Sequence, residues 1–194
     1  MEFVDLAMQC APMVHVQTMT ALVRTESGFN PYAIGVVGGR LERQPRSLAE
    51  AVSTAESLER QGYNWSGGYG QVNRSNFKRF GLTLQTVFEP CRNLRTSGSI
   101  LAECFVGALA KFPNQQHALR GSFSCYYSGN YSTGFRPDFK GQPSYVDKVV
   151  GAASNGGVRG AIAVRRTEAA PKERATERKP AEAAESVSKS SLVF

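Results

Sequence analysis

The run from residue 92 to 112 constrains the fold more than any other part of the chain. Leu94, Gly98, Leu101, Phe105, Ala108 and Phe112 recur at steps of 4, 3, 4, 3 and 4, and Pro113 closes the run. Such alternation lines one face of a helix with apolar groups, here over about Arg92 to Phe112, and that face needs other elements to cover it. The neighbouring sequence offers more helices. Val16, Met19, Thr20, Val23 and Glu26 share a face up to a stop at Ser27-Gly28, and Asn30-Pro31 prevents continuation. Ser47-Leu48-Ala49-Glu50 has capping-box form and opens a stripe of Leu48, Ala51, Val52, Ala55 and Leu58 that Gly62 ends. Shorter pieces at Phe77–Phe80 and Leu84–Phe88 stop at Gly81 and Pro90. A further helix covers Gln116 to Tyr127, a polar Gly/Pro-rich loop follows, and a last helix starts from a Ser144 cap with Tyr145, Val146, Val149 and Val150. No segment alternates with period two, although Gly62–Val72 has room for a small hairpin. The expected fold is all-α, a helical domain over residues 1–153.

Residues 154–194 read differently. From residue 157 on the chain holds one aromatic, Phe194, among Ala, Glu, Lys, Arg and Ser, with Pro171 and Pro180 interrupting any helix. That composition buries too little apolar area to offset chain entropy, so a disordered basic tail is expected. The whole chain has 23 Lys and Arg against 16 Asp and Glu, a net charge of +7 that suits an acidic partner: nucleic acid, anionic lipid or bacterial cell wall. Arg74, Lys78, Arg79, Arg92 and Arg95 are dispersed and read as a solvated face; no nucleic-acid reading motif is present, so nucleic acid is not the expected partner. No apolar stretch approaches the roughly 20 residues of a membrane-spanning helix.

Cysteines stand at 10, 91, 104 and 125. None has CxxC spacing, and His15 and His117 complete no ligand pattern, so no metal is expected. An even count favours two disulfides in an oxidising compartment over four buried thiols. The opening MEFVDLAMQCAP lacks a basic n-region and a long apolar core, so it is not read as a standard signal peptide and the export route stays open.

Glu26 is the carboxylate in an unexpected place. It continues the apolar face of its helix, and it lies in the last turn, where the helix dipole disfavours negative charge. Both effects raise a carboxylic pKa, as a proton donor near neutral pH requires.

The residues around Glu26 form an ordered series: Glu26-Ser27-Gly28-Phe29-Asn30-Pro31, Gly68-Tyr69-Gly70-Gln71, Tyr126-Tyr127-Ser128-Gly129-Asn130 and Tyr145-Val146. This series resembles the motifs ESxFxP, GLMQ, AYNAGN and YV of soluble lytic transglycosylases, whose catalytic domain is lysozyme-like. Cys10-Ala11-Pro12, the run from Glu26 to Gly35, Gln71-Val72-Asn73 and Pro90-Cys91-Arg92-Asn93-Leu94 are similar to the specialised lytic transglycosylases of type IV secretion systems. The resemblance covers about residues 10–153. It implies a lysozyme-like domain, α+β at most, with a substrate groove.

It also implies roles. Glu26 corresponds to the catalytic acid/base and Ser27 to the motif serine that helps orient the carboxyl. Gln71 lines the sugar groove, Tyr126 is a hydrogen-bond partner close to the carboxyl, and Asn130 is the final Asn of its motif. Asn73 and Tyr145 join these as substrate-binding residues. Gly70 replaces the usual Met, which would pack on the sugar, and Tyr127 replaces an Asn. Of three possible connectivities, Cys10–Cys91 and Cys104–Cys125 is expected, because the first two cysteines lie in motifs shared with the secretion family and the helix of Cys125 must fold back beside that of Cys104.

The implied chemistry is cleavage of the bond between N-acetylmuramic acid and N-acetylglucosamine, with a 1,6-anhydro ring formed on the muramoyl sugar and no cofactor. Ordinary glycosidases need two carboxylates, and Asp5, Asp138 and Asp147 are all far along the chain from Glu26. The implied partners are peptidoglycan in the periplasm and components of a secretion apparatus, reached through the tail. Two rivals remain: a lysozyme-type hydrolase using Glu42 to position water, and a non-catalytic wall-binding assembly module.

Overall fold

Helical spacing decides most of the architecture of residues 2–154, which the computed structural model describes. In chain order the elements are α1 (Phe3–Cys10), α2 (Val16–Ser27), β1 (Ile34–Val36), α3 (Leu48–Arg60), β2 (Trp65–Gly67), β3 (Val72–Asn73), α4 (Phe77–Phe80), α5 (Pro90–Leu109), α6 (Gln115–Ser128) and α7 (Tyr145–Ser154). The expected tail, apart from Ser154 at the end of α7, lies outside the described residues.

α5 is the spine. Pro90 begins it, since the first helical position needs no N–H, and Leu94, Gly98, Leu101, Phe105 and Ala108 are all buried along one side. Phe112 lies beyond its end and packs instead into a notch left by Gly121, where a Cβ would stand 2.2 Å from the ring. α6 starts at Asn114, whose side chain accepts from the His117 N–H at 2.9 Å, and folds back along α5. The Cys104–Cys125 disulfide ties the two helices, and Cys10–Cys91 ties the end of α1 to the start of α5. α7 lies on α2, so that Val146 and Val149 share a core with Met19, Leu22 and Val23.

Two elements differ from the sequence expectation. α1 was not anticipated, although Phe3, Leu6, Ala7 and Cys10 have the spacing of a helix face and all pack into the helical core. The expected hairpin exists as β2 and β3, but β1 joins it to make a three-stranded antiparallel sheet in the order β1-β2-β3. Ile34 pairs with Gly67 and Val36 with Trp65, then Gly67 with Val72. A three-residue strand carries no readable alternation. The outer edge of β1 is satisfied by a side chain: Gln44 accepts from the Ile34 N–H at 2.7 Å and donates to its carbonyl at 3.0 Å. That closes the edge as a neighbouring strand would.

The sheet, α3 and α4 have their own core. Trp65 is fully buried there, edge-on to Phe77, with its indole N–H donated to Glu59 at 2.8 Å. The helical core and this second core meet along α5, and a groove opens between them.

Candidate active site

α2 ends just past Glu26. Gly28 closes the helix in left-handed backbone at φ 58°, and Phe29 follows at φ 66°. Two left-handed residues in succession reverse the chain, at a cost on the order of 1 kcal/mol for a residue with a Cβ. Phe29 is held there by its ring against Phe3, centroids 4.9 Å apart. Glu26 thereby lines the inter-lobe groove, a space of about 790 Å³.

Glu26 is crowded by protein yet partly reachable from the groove. Burial pushes its carboxyl from 4.5 up to about 7, and a hydrogen bond from the Tyr145 hydroxyl opposes that rise. Tyr145 is the first residue of α7, buried to 6% exposure, and its own pKa is driven well above 10 by burial and by the neighbouring carboxylate. It therefore stays a neutral donor. Its ring stacks on Tyr127 with centroids 4.6 Å apart and planes 17° from parallel. The Tyr127 hydroxyl donates to Asp138 at 2.7 Å, a bond that, with burial, pushes the phenol up to about 12. Lys148 stands 3.8 Å from the same carboxylate.

The hydrogen bond to Glu26 thus comes from Tyr145 rather than from Tyr126. Tyr126 lies close enough for Glu26 to raise its pKa, but its hydroxyl donates to the Gly70 carbonyl. Ser27 is also differently engaged: its hydroxyl donates to the Val23 carbonyl at 3.2 Å, one turn back, and not to the carboxyl. Gln71 does line the groove. Held at φ 49°, it donates its amide to the carbonyls of Ala33 at 2.9 Å and Gly68 at 3.0 Å, bracing the loop that leads to β3. Asn73 lines the groove too, while its side chain bonds Asn64, Trp65 and Ser66 and caps the following turn. Asn130 lies outside the lining; its carbonyl oxygen on the side chain accepts from Ser132 and Thr133 and shapes the turn after α6.

A side chain at position 70 would not reach a sugar. The Cβ direction at Gly70 meets Ser97 Oγ at 1.9 Å and the Tyr126 hydroxyl at 3.0 Å, so it points into the protein. The glycine lets the 68–71 loop sit directly on α5. Asn93, which is fully buried, holds it there: it accepts from the Gly70 N–H at 2.7 Å and donates to the carbonyls of Gly67 at 2.9 Å and Val87 at 2.8 Å. Asn93 was not among the expected site residues, although it stands in the Pro90–Leu94 motif. Tyr127 stands in its motif only as a replacement for Asn, and nothing local shows that its ring stacks on Tyr145; Asp138 is hidden by its distance along the chain. Glu42 borders a separate shallow depression with Arg43 and Glu50, and does not face Glu26. Among the described residues no group of three or more His, Cys, Asp or Glu is placed to hold a metal ion, and no helix is long and apolar enough to cross a membrane.

A carboxyl protonated for a large share of the time at neutral pH, set in a groove lined mostly by neutral amides and hydroxyls, can donate a proton to a bound ether oxygen and take one back. The chain is similar to known proteins. The transglycosylase SLT domain family matches residues 6–119. The type IV secretion system protein virB1 of Brucella abortus biovar 1 (strain 9-941) is 57% identical over 152 residues, covering 78% of this chain and 63% of that protein. Its counterpart in Brucella suis biovar 1 (strain 1330) is similar to the same degree, 57% over 152 residues with 78% and 63% covered. Protein virB1 of Agrobacterium fabrum is 31% identical over 154 residues, 78% of this chain and 59% of that one. The chain therefore spans somewhat less than two thirds of the length of these relatives. No solved structure matches it significantly. The family match covers Glu26, the sheet and α5 and more than half of the chain, and the chain belongs to the transglycosylase SLT domain family.

Proposed function

We propose that the protein is a peptidoglycan lytic transglycosylase that opens the cell wall for a type IV secretion system. The observation that carries this reading is Glu26: a carboxyl raised to about 7 by burial, hydrogen-bonded by Tyr145 and lining a groove of about 790 Å³. Protonated Glu26 gives its proton to the glycosidic oxygen between N-acetylmuramic acid and N-acetylglucosamine, and the bond to the muramoyl C1 breaks. The substrate's acetamido group stabilises the oxocarbenium-like centre. Glu26, now a carboxylate, takes the proton of the muramoyl C6 hydroxyl as its oxygen bonds to C1, which closes the 1,6-anhydro ring and restores the acid. Tyr145 stabilises the carboxylate between the two steps. No water and no second carboxylate enter.

The placement of Glu42 away from the groove argues against the hydrolase in which it positions water. The names of the Brucella relatives support service to a secretion apparatus, and with it a periplasmic location. Residues 1–153 are the catalytic domain in this reading, Ser27, Gln71, Asn73, Tyr126, Asn130 and Tyr145 contribute to substrate binding directly or through the loops they brace, and residues 154–194 contact partners. Digestion of purified sacculi tests the assignment of Glu26. Glu26→Gln should lose at least roughly 10²–10⁴-fold in rate, the share of general acid–base assistance. A folded variant that retains wild-type rates would refute it.

A further inference from the structure

Most of the groove is lined by neutral groups, among them Asn64, Ser66, Asn73, Ser75 and Asn76, which suit the hydroxyls and acetamides of sugars. Among the described residues that line it, three have acidic or basic side chains: Glu26, Arg79 and Glu103. Arg79, in the last turn of α4, and Glu103, midway along α5, form an ion pair across 24 residues of sequence. Their side chains are 52% and 53% exposed, so both charges stay wet. Other Arg–Glu pairs of the described residues, Arg43–Glu50, Arg74–Glu59 and Arg92–Glu89, do not border this groove.

The pair is well anchored and open to solvent. Arg79 lays its guanidinium 4.6 Å from the Phe80 ring centroid, which favours a fixed plane for its donor fork. Glu103 precedes Cys104, whose disulfide fastens this turn of α5 to α6. An ion pair this exposed adds little to stability, so its position in the groove asks for another use. A neutral sugar can hydrogen-bond to either partner but brings no charge to replace the one it displaces. A ligand that carries both a carboxylate and an ammonium can replace each partner with an equivalent charge-assisted bond, the carboxylate on the Arg fork and the ammonium on the Glu oxygens.

We propose that Arg79 and Glu103 form a subsite for the amphoteric stem peptide borne by the muramoyl sugars, a peptide with free carboxylates and a free amine. The inference deepens the transglycosylase reading and rests on it. The closed pair is the resting state; the stem peptide opens it and lies between α4 and α5, which favours peptide-bearing strands over bare glycan.

The test compares kcat/KM on sacculi with intact stems and on glycan strands stripped of stems by an amidase, which keep the muramoyl lactyl carboxylate but lose the amine and the stem carboxylates, using the full chain. Arg79→Ala and Glu103→Gln should each lower the ratio of the two values by about three- to tenfold, the loss of one exposed charge-assisted bond. An unchanged ratio in both variants would overturn the subsite. Arg79→Glu combined with Glu103→Arg rebuilds the helix-to-helix tie with the charges reversed. The ratio should stay low in that variant; a restored ratio would show that only the tie matters, and the subsite would fall. A wild-type protein that cleaves neither substrate would instead defeat the transglycosylase reading itself.

Discussion

Replacing Tyr145 by Phe removes one hydroxyl and leaves the ring. The ring is buried and stacked 4.6 Å from Tyr127, contacts that Phe can keep, so the change isolates the bond to Glu26. A hydrogen bond to a charged group contributes about 1.5–3 kcal/mol. The protonated acid also keeps part of its contact with the hydroxyl, so the difference between the two protonation states is smaller, about 1.4 kcal/mol or one pKa unit. The bond favours the carboxylate and opposes burial, which holds Glu26 at about 7. Its loss therefore moves the pKa up. Only the protonated form starts the reaction, so activity falls as pH rises through this pKa. The descending limb of kcat/KM against pH should move from about 7 to roughly 8 in Tyr145→Phe, with a lower plateau because the carboxyl is no longer aimed. Digestion of purified sacculi between pH 5 and 9 measures the limb. A limb that stays in place, or moves to lower pH, would refute the coupling of Tyr145 to Glu26.

Three further outcomes are expected. A carboxyl raised from 4.5 to about 7 binds its proton more tightly in the folded chain, so the wild type loses stability as pH rises through that window, up to about 3 kcal/mol above it. Glu26→Gln escapes this loss, and its melting temperature should exceed the wild type's at pH 8 but not at pH 4; an equal difference at both would contradict the raised pKa. Asn93→Ala leaves the Gly70 N–H and the Gly67 and Val87 carbonyls without their buried partner, and should cost about 2–4 kcal/mol in urea unfolding together with groove activity; a loss under about 1 kcal/mol would mean the loop stands without it. Truncation after Gly156 should leave cleavage of purified sacculi intact, and a fall by orders of magnitude in a folded protein would assign residues 157–194 to the site.

Periodicity made α2, α3, α5 and α7 legible, because each has an apolar stripe and a cap or stop that local chemistry sets, while α6 is legible as a helical run without such a stripe. Ser47 caps as its motif predicts, accepting from the Glu50 N–H at 3.2 Å, although the Glu50 carboxylate reaches the Arg46 N–H and the Arg43 guanidinium instead of closing the box on Ser47. α1 is legible in principle from its four-residue face, but eight residues give too short a stripe to stand out. β1 was not, since three residues completed by a distant Gln44 leave no local pattern. The inward and C-terminal position of Glu26 was read correctly from the helix face, and burial is the physical cause that the structure gives for its raised pKa. Its partners were harder. Tyr145 is 119 residues away and meets Glu26 only because α7 packs on α2; Asp138 reaches the site only through the stacked tyrosines. The direction of position 70 could not be read at all, because it depends on how closely the loop approaches Ser97.

The most direct test of the account is the mass of the muropeptides released from sacculi by the wild-type chain. A single carboxyl that first gives and then takes a proton closes the ring on the substrate's own hydroxyl, so every new muramoyl end should be the 1,6-anhydro form, one water lighter than a reducing end. Release of reducing ends alone from active protein would contradict it, since that product requires a water-activating partner which the groove around Glu26 would then have to supply.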